Sequence, residues 1–213
     1  MTTSRVALPR LYAILDAACF PDDRALFRAA EELASAGVTL LQYRNKSGKA
    51  RQMLEQAREV KRVINGRAKL IMNDRADLCL AADFDGLHIG QDDLSPEAAR
   101  QIIGTEFQGK ARWLGVSTHN PEQLAEADKT SADYLAIGPV FATTSKANPD
   151  PVVGLEGVRR ARDLTRKPLV AIGGITRANA RSVIEAGADA IAVISDLLPD
   201  PRKSAEEFLA ILR

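Results

Sequence analysis

The sequence predicts an α/β protein that folds as a single (βα)8, or TIM, barrel with its active site at the C-terminal ends of the strands. Short apolar runs alternate with helical segments along the chain, and eight such pairs fit within its 213 residues. Runs that are apolar on both faces are typical of parallel strands covered by crossover helices. No linker or low-complexity tract interrupts them. We therefore predict one domain over residues 1–213, with residues 1–10 as an N-terminal tail.

One repeat is especially clear in residues 168–195, PLVAIGGITRANARSVIEAGADAIAVIS. An apolar run ends at Gly173-Gly174, a helical segment follows, and a second apolar run leads to Ser195. A right-handed crossover puts the ends of both strands on the same side of the sheet. Glycines there let backbone N–H groups approach an anion, and the loops after strands seven and eight of such barrels commonly bind phosphate. A plain turn between strand and helix is the alternative.

The other units follow in chain order, and local signals mark several of their ends. Gly37 is positioned to end the first helix. Ser95 and Asn120 each precede a proline, and a cap followed by proline is typical of a helix start. We predict helices between the strands, among them residues 22–36, 155–164 and 202–212. We predict strands over residues 11–15, 38–41, 68–72, 86–89, 113–116, 134–137, 169–172 and 190–194.

Composition excludes several classes of function. The formal net charge is +1, which is too balanced for a nucleic-acid-binding surface. No apolar run is long enough to cross a membrane, and the first ten residues contain no signal-peptide core. The two cysteines, Cys19 and Cys79, lack metal-ligand spacing, and we expect both to stay reduced in the cytoplasm. We therefore expect small-molecule partners, and a homo-oligomer remains possible.

Polar clusters follow the strands rather than precede them, so a barrel would gather them on one face. Arg44, Lys46 and Lys146 are cations suited to a pyrophosphate. Asp74 and Asp93 are carboxylates of the kind that bind magnesium together with phosphate oxygens. Such a site could join two phosphorylated molecules with pyrophosphate as the leaving group. The polar side chains that could orient a small substrate are Gln42, Asn73, Ser117, Thr143 and Thr144.

Seven short motifs occur in order over nearly the whole chain. They are Gln42-x-Arg44-x-Lys46, NDR at 73–75, GLHIGQDD at 86–93, GVS at 115–117, GPVFATTSK at 138–146, IGGI at 172–175 and VIS at 193–195. Each motif is weak alone, since IGGI occurs in many barrels. Together the motifs resemble the signature series of the thiamine phosphate synthase family. That resemblance implies a TIM barrel that joins hydroxymethylpyrimidine diphosphate to a thiazole phosphate, or its carboxylated form, and releases pyrophosphate.

The resemblance also implies roles for individual residues. Arg44, Lys46, Ser117 and Lys146 would be catalytic, and Asp74 and Asp93 would bind Mg2+. Family members are understood to ionise the pyrimidine diphosphate before the thiazole nitrogen captures the cation, so no general base is required. The residues expected to bind substrate are Gln42, Tyr43, Arg44, Asn45, Lys46, Asn73, Ser117, Thr143, Thr144, Ser145, Lys146, Gly174, Ile194 and Ser195.

Other interpretations of these residues stay open. Arg44 and Lys46 could lie on a solvated edge, Asp74 could cap a helix, and Ser117 or Asn120 could cap the helix near residue 121. Asp92 competes with Asp93 as the metal ligand, although the family pattern favours Asp93.

Two further functions are also open. A thiazole tautomerase on the same fold would use His119 to move protons, and a non-catalytic sensor would bind a thiazole phosphate without turnover. Retention of the cations and carboxylates favours the synthase. His88 is expected to be a packed or hydrogen-bonded residue inside a strand rather than a catalyst.

Overall fold

A computed structural model describes residues 6–143 and 150–213 and shows a closed barrel of eight parallel strands. Neighbouring strands in the chain are also neighbours in the barrel, and the last strand pairs with the first. The predicted fold class is therefore confirmed. The strands are β1 (Leu11–Asp16), β2 (Leu40–Arg44), β3 (Lys69–Asn73), β4 (Gly86–Ile89), β5 (Trp113–Thr118), β6 (Tyr134–Ile137), β7 (Leu169–Ile172) and β8 (Ala190–Val193).

A helix follows each strand and covers the outside of the barrel. Ser95 accepts a hydrogen bond from Ala98 N at 3.2 Å, and Asn120 accepts one from Gln123 N at 2.8 Å, so both residues cap helices as predicted. Asp74 does not cap the short helix after it, because that helix begins beyond Arg75. The helices are α1 (Asp23–Ser35), α2 (Ala50–Ile64), α3 (Ala76–Ala81), α4 (Pro96–Ile103), α5 (Pro121–Asp128), α6 (Gly154–Leu164), α7 (Ala180–Glu185) and α8 (Pro201–Ile211).

The buried side chains form two layers. Alternate residues of each strand point to opposite faces, so one set fills the barrel and the other packs under the helices. Tyr12, Ile71 and Tyr134 belong to the inner layer. Leu41 and Tyr43 belong to the outer one. Polar residues at the inward positions near the C-terminal strand ends therefore face the mouth of the barrel.

Some elements differ from the sequence-based expectations. β2 occupies Leu40–Arg44 rather than residues 38–41, and β1 continues to Asp16. A short antiparallel hairpin, Glu106–Phe107 with Lys110–Ala111, was not predicted. Val6 and Leu8, from the predicted tail, pack against the inner layer. No helix in the described part of the chain is long and apolar enough to span a membrane.

Candidate active site

A pocket of about 650 Å³ opens at the C-terminal ends of the strands. It collects most of the side chains that the sequence indicated, although they come from all parts of the chain. The predicted residues that line it are Gln42, Arg44, Lys46, Asn73, Asp74, Asp93, Ser117, Thr143, Gly174, Ile194 and Ser195. Thr144, Ser145 and Lys146 lie outside the described residues, so their predicted roles stay predictions.

Two residues expected to bind substrate lie away from this pocket. Tyr43 is 0% exposed in the outer layer, and its hydroxyl donates a hydrogen bond to Gln56 Oε1 on α2. Because β2 continues through Arg44, strand alternation turns Tyr43 outward while its two neighbours point inward. Asn45 Nδ2 donates to the same Gln56 oxygen at 3.0 Å, which holds this side chain against α2. We correct both expectations.

A pair of carboxylates lies at one side of the pocket with a lysine beside it. Lys46 Nζ is 2.5 Å from Asp74 Oδ2. Burial raises the pKa of the Asp74 carboxyl, the neighbouring Asp93 carboxylate raises it further, and Lys46 opposes that rise. Asp93 Oδ2 accepts a hydrogen bond from Gly90 N at 2.8 Å, whereas Asp92 lines the pocket with an exposed side chain. The arrangement concentrates negative charge that a further cation would relieve.

The backbone at Asp74 supports this placement. Asp74 adopts a left-handed conformation with φ +61°, which aspartate tolerates better than most residues. Asp74 N donates to His88 O at 2.8 Å, so the turn after β3 is fixed to the end of β4. The carboxylate is therefore presented by an ordered turn and not by a free loop end.

Arg44 is held by a residue that the sequence analysis did not select. Its guanidinium forms a short ion pair with Asp16, which is almost fully buried at the end of β1. Asp16 and Arg44 lie directly opposite each other in the β1–β2 register. The sequence did contain a signal for Asp16, which is the polar residue directly after the first apolar run. Arg44 was selected because it lies in a polar cluster after a strand, and the same rule applies to Asp16.

Asn73 provides a donor to the pocket. The residue is only 8% exposed, and its Nδ2 atom has no hydrogen-bond partner among the described residues. A buried polar atom without a partner is costly, and a ligand acceptor in the pocket would satisfy it.

Ser117 does not cap the following helix but bonds to a neighbouring strand. Its Oγ lies 2.8 Å from Nε2 of His88, whose Nδ1 lies 3.1 Å from the hydroxyl of Tyr134. Burial lowers the pKa of His88 to about 4, and the charge of Asp93 opposes this only in part. His88 is thus neutral, and it is a hydrogen-bonded residue inside a strand, which is one of the two alternatives expected from the sequence.

The glycine turn after β7 lies across the barrel from the carboxylates. Gly173 and Gly174 have φ values of +100° and +62°, and an added Cβ on Gly174 would come within 2.5 Å of Ala142 O. Only glycine fits this backbone without strain. Gly174 lines the pocket beside Ile194 and Ser195, which follow β8. The loops after β7 and β8 therefore meet at one wall, as expected for a phosphate cup.

A salt bridge connects these two loops. Arg177, just after the glycine turn, donates through Nε to Asp196 Oδ2 at 3.0 Å and through Nη2 to Asp196 Oδ1 at 3.2 Å. Its backbone N–H also donates to Asp196 Oδ2 at 2.8 Å. Sequence reasoning missed this pair, because neither residue belongs to the motifs that it used.

His119 also lines the pocket, and its ring is engaged on both sides. Nδ1 is 2.6 Å from Gly138 O, and a carbonyl can only accept, so Nδ1 carries a proton. Nε2 lies 3.5 Å from Asp150 Oδ2. These contacts fix the ring between the loops that follow β5 and β6.

Comparisons with known proteins agree with this geometry. Residues 11–197 match the family model described as thiamine monophosphate synthase. The chain belongs to the thiamine monophosphate synthase family. It is 62% identical over 212 residues to the thiamine-phosphate synthase of Koribacter versatilis, covering 98% of each chain. It is 44% identical over 199 residues to that of Chloroflexus aurantiacus, covering 92% of this chain and 88% of the relative.

A solved structure of a family member has the same architecture. Thiamine phosphate pyrophosphorylase from Pyrococcus furiosus superposes with a TM-score of 0.82 at 34% identity, and 95% of each chain is covered. The family and the thiamine-phosphate synthase activity predicted from the motifs are thus confirmed. These comparisons do not favour the tautomerase or the sensor.

Proposed function

We propose that this thiamine-phosphate synthase joins 4-amino-5-hydroxymethyl-2-methylpyrimidine diphosphate to a thiazole phosphate in the pocket at the C-terminal strand ends. One observation carries the proposal: a cation and carboxylate cluster lies across the pocket from a glycine-lined wall. The cluster suits a diphosphate, and backbone N–H groups beside glycines suit a second, separate phosphate. Two phosphorylated substrates could therefore bind at once with their reacting ends between the two walls.

The donor set at Asp74 and Asp93 fits magnesium. Magnesium commonly binds one or two protein carboxylates and completes its shell with substrate phosphate oxygens and water. Residues 6–143 and 150–213 hold no cluster of three or more His, Cys, Asp or Glu side chains around one metal position. The diphosphate would therefore supply ligands alongside Asp74 and Asp93. When bound, magnesium would stabilise the negative charge that develops on the departing pyrophosphate.

The remaining residues would hold the diphosphate and its ring. Arg44, oriented by Asp16, would present a planar fork to phosphate oxygens, and Lys46 would add a mobile charge. Asn73 Nδ2 would gain the acceptor that it lacks among the described residues. Departure of pyrophosphate breaks the carbon–oxygen bond, and the thiazole nitrogen forms a new bond to that carbon. No proton has to move, so the site needs no general base.

The thiazole phosphate would bind at the opposite wall. Gly174, Ile194 and Ser195 line this wall, and Thr143 lies near it. Thr144 and Ser145 are proposed to bind the thiazole phosphate, and Lys146 is proposed to bind the pyrimidine diphosphate. Their roles rest on the family motif alone. The thiazole substrate is proposed to be the thiazole phosphate or its carboxylated form.

The substrates also bear on where the protein works. Both are phosphorylated small molecules, and Cys19 and Cys79 are free thiols. We propose a cytoplasmic enzyme, since free thiols persist in reducing compartments.

A direct assay tests the proposal. The purified protein is mixed with both substrates and magnesium, and pyrophosphate and thiamine phosphate are quantified with and without a chelator. We expect equal amounts of the two products only when both substrates and metal are present. Pyrophosphate release from the diphosphate alone at the same rate, or product formation unaffected by the chelator, would contradict the proposal.

A further inference from the structure

Five polar side chains from five strands form one hydrogen-bonded chain across the floor of the pocket. Gln42 Nε2 donates to the Tyr12 hydroxyl at 2.8 Å, and this hydroxyl lies 3.0 Å from that of Tyr134. The Tyr134 hydroxyl lies 3.1 Å from His88 Nδ1, and His88 Nε2 lies 2.8 Å from Ser117 Oγ. The two ends, Gln42 and Ser117, line the pocket, as do Tyr12 and His88, whereas Tyr134 does not.

The packing inside the barrel leaves space for this chain of hydrogen-bonded side chains. Tyr12 is 1% exposed and Tyr134 is 0% exposed, so both rings are almost fully removed from bulk water. A Cβ at Gly115 would lie 2.1 Å from Tyr134 Cζ and 2.4 Å from His88 Nδ1. Gly115 occupies an inward position of β5 and leaves the space that both rings fill. The glycine of the GVS motif thus has a packing reason.

Satisfying every buried group gives the chain a direction. Because Gln42 donates a hydrogen bond to the Tyr12 hydroxyl, this hydroxyl must donate its own hydrogen bond to the Tyr134 hydroxyl. The Tyr134 hydroxyl then donates to His88 Nδ1. Because Nδ1 accepts this hydrogen bond, the ring proton of His88 is on Nε2 and is donated to Ser117 Oγ. The Ser117 hydroxyl proton is left to point into the pocket.

If the hydrogen bonds ran in the opposite direction and the Gln42 amide kept this orientation, one buried group would lack a partner. If Ser117 donated to His88 and His88 donated to Tyr134, the Tyr12 oxygen would receive two donors. Its own proton would then have no acceptor in a buried site, which is unfavourable. Reversal requires the Gln42 amide to turn over, so that its oxygen accepts from Tyr12. The roles of Gln42 and Ser117 are therefore coupled through the three residues between them.

We propose that Tyr12, Tyr134 and His88 are positioning residues that make Gln42 an acceptor and Ser117 a donor toward the pyrimidine substrate. This inference rests on the proposed function, since it concerns the same pocket. An aminopyrimidine presents both a donor, its amino group, and acceptors, its ring nitrogens. A site with one fixed acceptor and one fixed donor matches that ring and disfavours an analogue with the amino group replaced by a carbonyl.

The first test is spectroscopic and needs no substrate. The protein contains two histidines, so nitrogen-15 NMR of histidine-labelled protein gives two ring systems, and His119→Gln assigns them. We expect His88 to show an unprotonated Nδ1 and a protonated Nε2 at neutral pH. Tyr134→Phe removes the donor to Nδ1 and should allow both tautomers. A protonated Nδ1 in the unaltered protein would overturn the proposal, because the chain would then run the other way.

The second test is kinetic and uses a matched control. Tyr12→Phe and Tyr134→Phe each remove one hydroxyl from the chain and should lower kcat/KM for the pyrimidine diphosphate by about tenfold. Tyr43→Phe removes the third buried tyrosine hydroxyl, which bonds to Gln56 outside the barrel, and should leave kcat/KM close to the unaltered value. Equal values in all three variants would contradict the proposal.

The two tests separate this inference from the proposed function. An inactive unaltered protein with the Nε2–H tautomer of His88 would retain the directed chain but refute the synthase chemistry. An active protein with the Nδ1–H tautomer would retain the synthase and refute the directed chain. If Tyr134→Phe fails to fold, the tautomer of the unaltered protein and the Tyr12→Phe kinetics still decide the matter.

Discussion

His88 lies inside the barrel, and its surroundings decide its charge. Burial lowers its pKa from 6.5 to about 4, because the ring would lose hydration on becoming a cation there. Above pH 6.5 the residue is neutral in both the folded and the unfolded chain. As the pH falls below 6.5, the unfolded chain gains a proton that the folded chain does not take up until about pH 4. Acidification therefore favours unfolding through this residue.

This linkage predicts how stability depends on pH. We expect the free energy of unfolding to lose about 1.4 kcal/mol for each pH unit between 6.5 and 4 through His88. His88→Gln has no titrating ring and should show a correspondingly shallower decline over that interval. Denaturant unfolding of both proteins at several pH values measures the difference. Parallel curves for the two proteins would contradict a buried, neutral His88.

Arg44 shows a different effect of burial on a charged side chain. The guanidinium is paired with Asp16 from the neighbouring strand, so it reaches the pocket in one orientation. A buried pair of this kind contributes little net stability, because both charges are removed from water. Its proposed benefit is geometric: the cation would already be in place when a phosphate binds.

A salt bridge between Arg177 and Asp196 joins the turn after β7 to the 3-10 helix after β8, which spans Ser195–Leu197. The two loops are therefore held in a fixed relative position. The guanidinium donates to both carboxylate oxygens, which fixes direction as well as distance. Gly174 and Ser195 lie on either side of this link. Their backbone N–H groups are therefore held at a constant separation, which would suit the phosphate that is proposed to bind there.

Arg177→Lys tests the link between the two loops. Lysine keeps the charge but loses the two-pronged contact, so the KM for the thiazole phosphate should rise by about threefold to tenfold. The KM for the pyrimidine diphosphate should not change, since that substrate is proposed to bind across the barrel. Arg181→Lys, an exposed position on α7, is the matched control. Steady-state kinetics with each substrate varied in turn provides both values, and a rise in both KM values would contradict a local role.

The end of β2 explains why part of the site could be predicted from sequence and part could not. Gln42 and Arg44 were identified as polar residues after an apolar run, and their spacing of two places them on one face. The prediction that Tyr43 binds substrate was wrong, because the strand was predicted to end at residue 41 and instead continues to Arg44. A strand that continues through a polar cluster keeps alternating, but hydrophobicity alone does not reveal that continuation.

Contacts between distant residues were beyond the sequence argument. Tyr12 and Tyr134 are separated by 122 positions, and each was an unremarkable member of an apolar run. Their meeting depends on the space that Gly115 leaves for the Tyr134 ring. The contact between Asp16 and Arg44 was easier to predict from the sequence, because consecutive strands are neighbours in a barrel and Asp16 ends the first of them.

The barrel as a whole divides its mouth into two walls. β3 and β4 carry the carboxylates, and β7 and β8, on the far side of the closed sheet, carry the glycine turn and Ser195. This separation suits a reaction in which a diphosphate leaves one substrate while the other is held by its own phosphate. The fold could be predicted from the eight strand–helix repeats, and the family could be predicted from the seven motifs. The side-chain contacts that shape each wall, such as Arg44 with Asp16 and Arg177 with Asp196, could be found only in the structure.

Pyrophosphate is proposed to leave from a magnesium site at Asp74 and Asp93. The most direct measurement compares Asp93→Asn with Asp92→Asn, which remove one charge from adjacent positions. An amide at residue 93 can still accept the hydrogen bond from Gly90 N, so its loss of charge is the main change.

Pyrophosphate release is measured for both variants over a range of magnesium concentrations. Asp93→Asn should lower the rate by at least about tenfold and raise the magnesium concentration needed for half-maximal rate. Asp92→Asn, at an exposed side chain, should retain a rate and metal dependence close to those of the unaltered protein. The same metal dependence in Asp93→Asn as in the unaltered protein, or a larger loss in Asp92→Asn, would contradict the account.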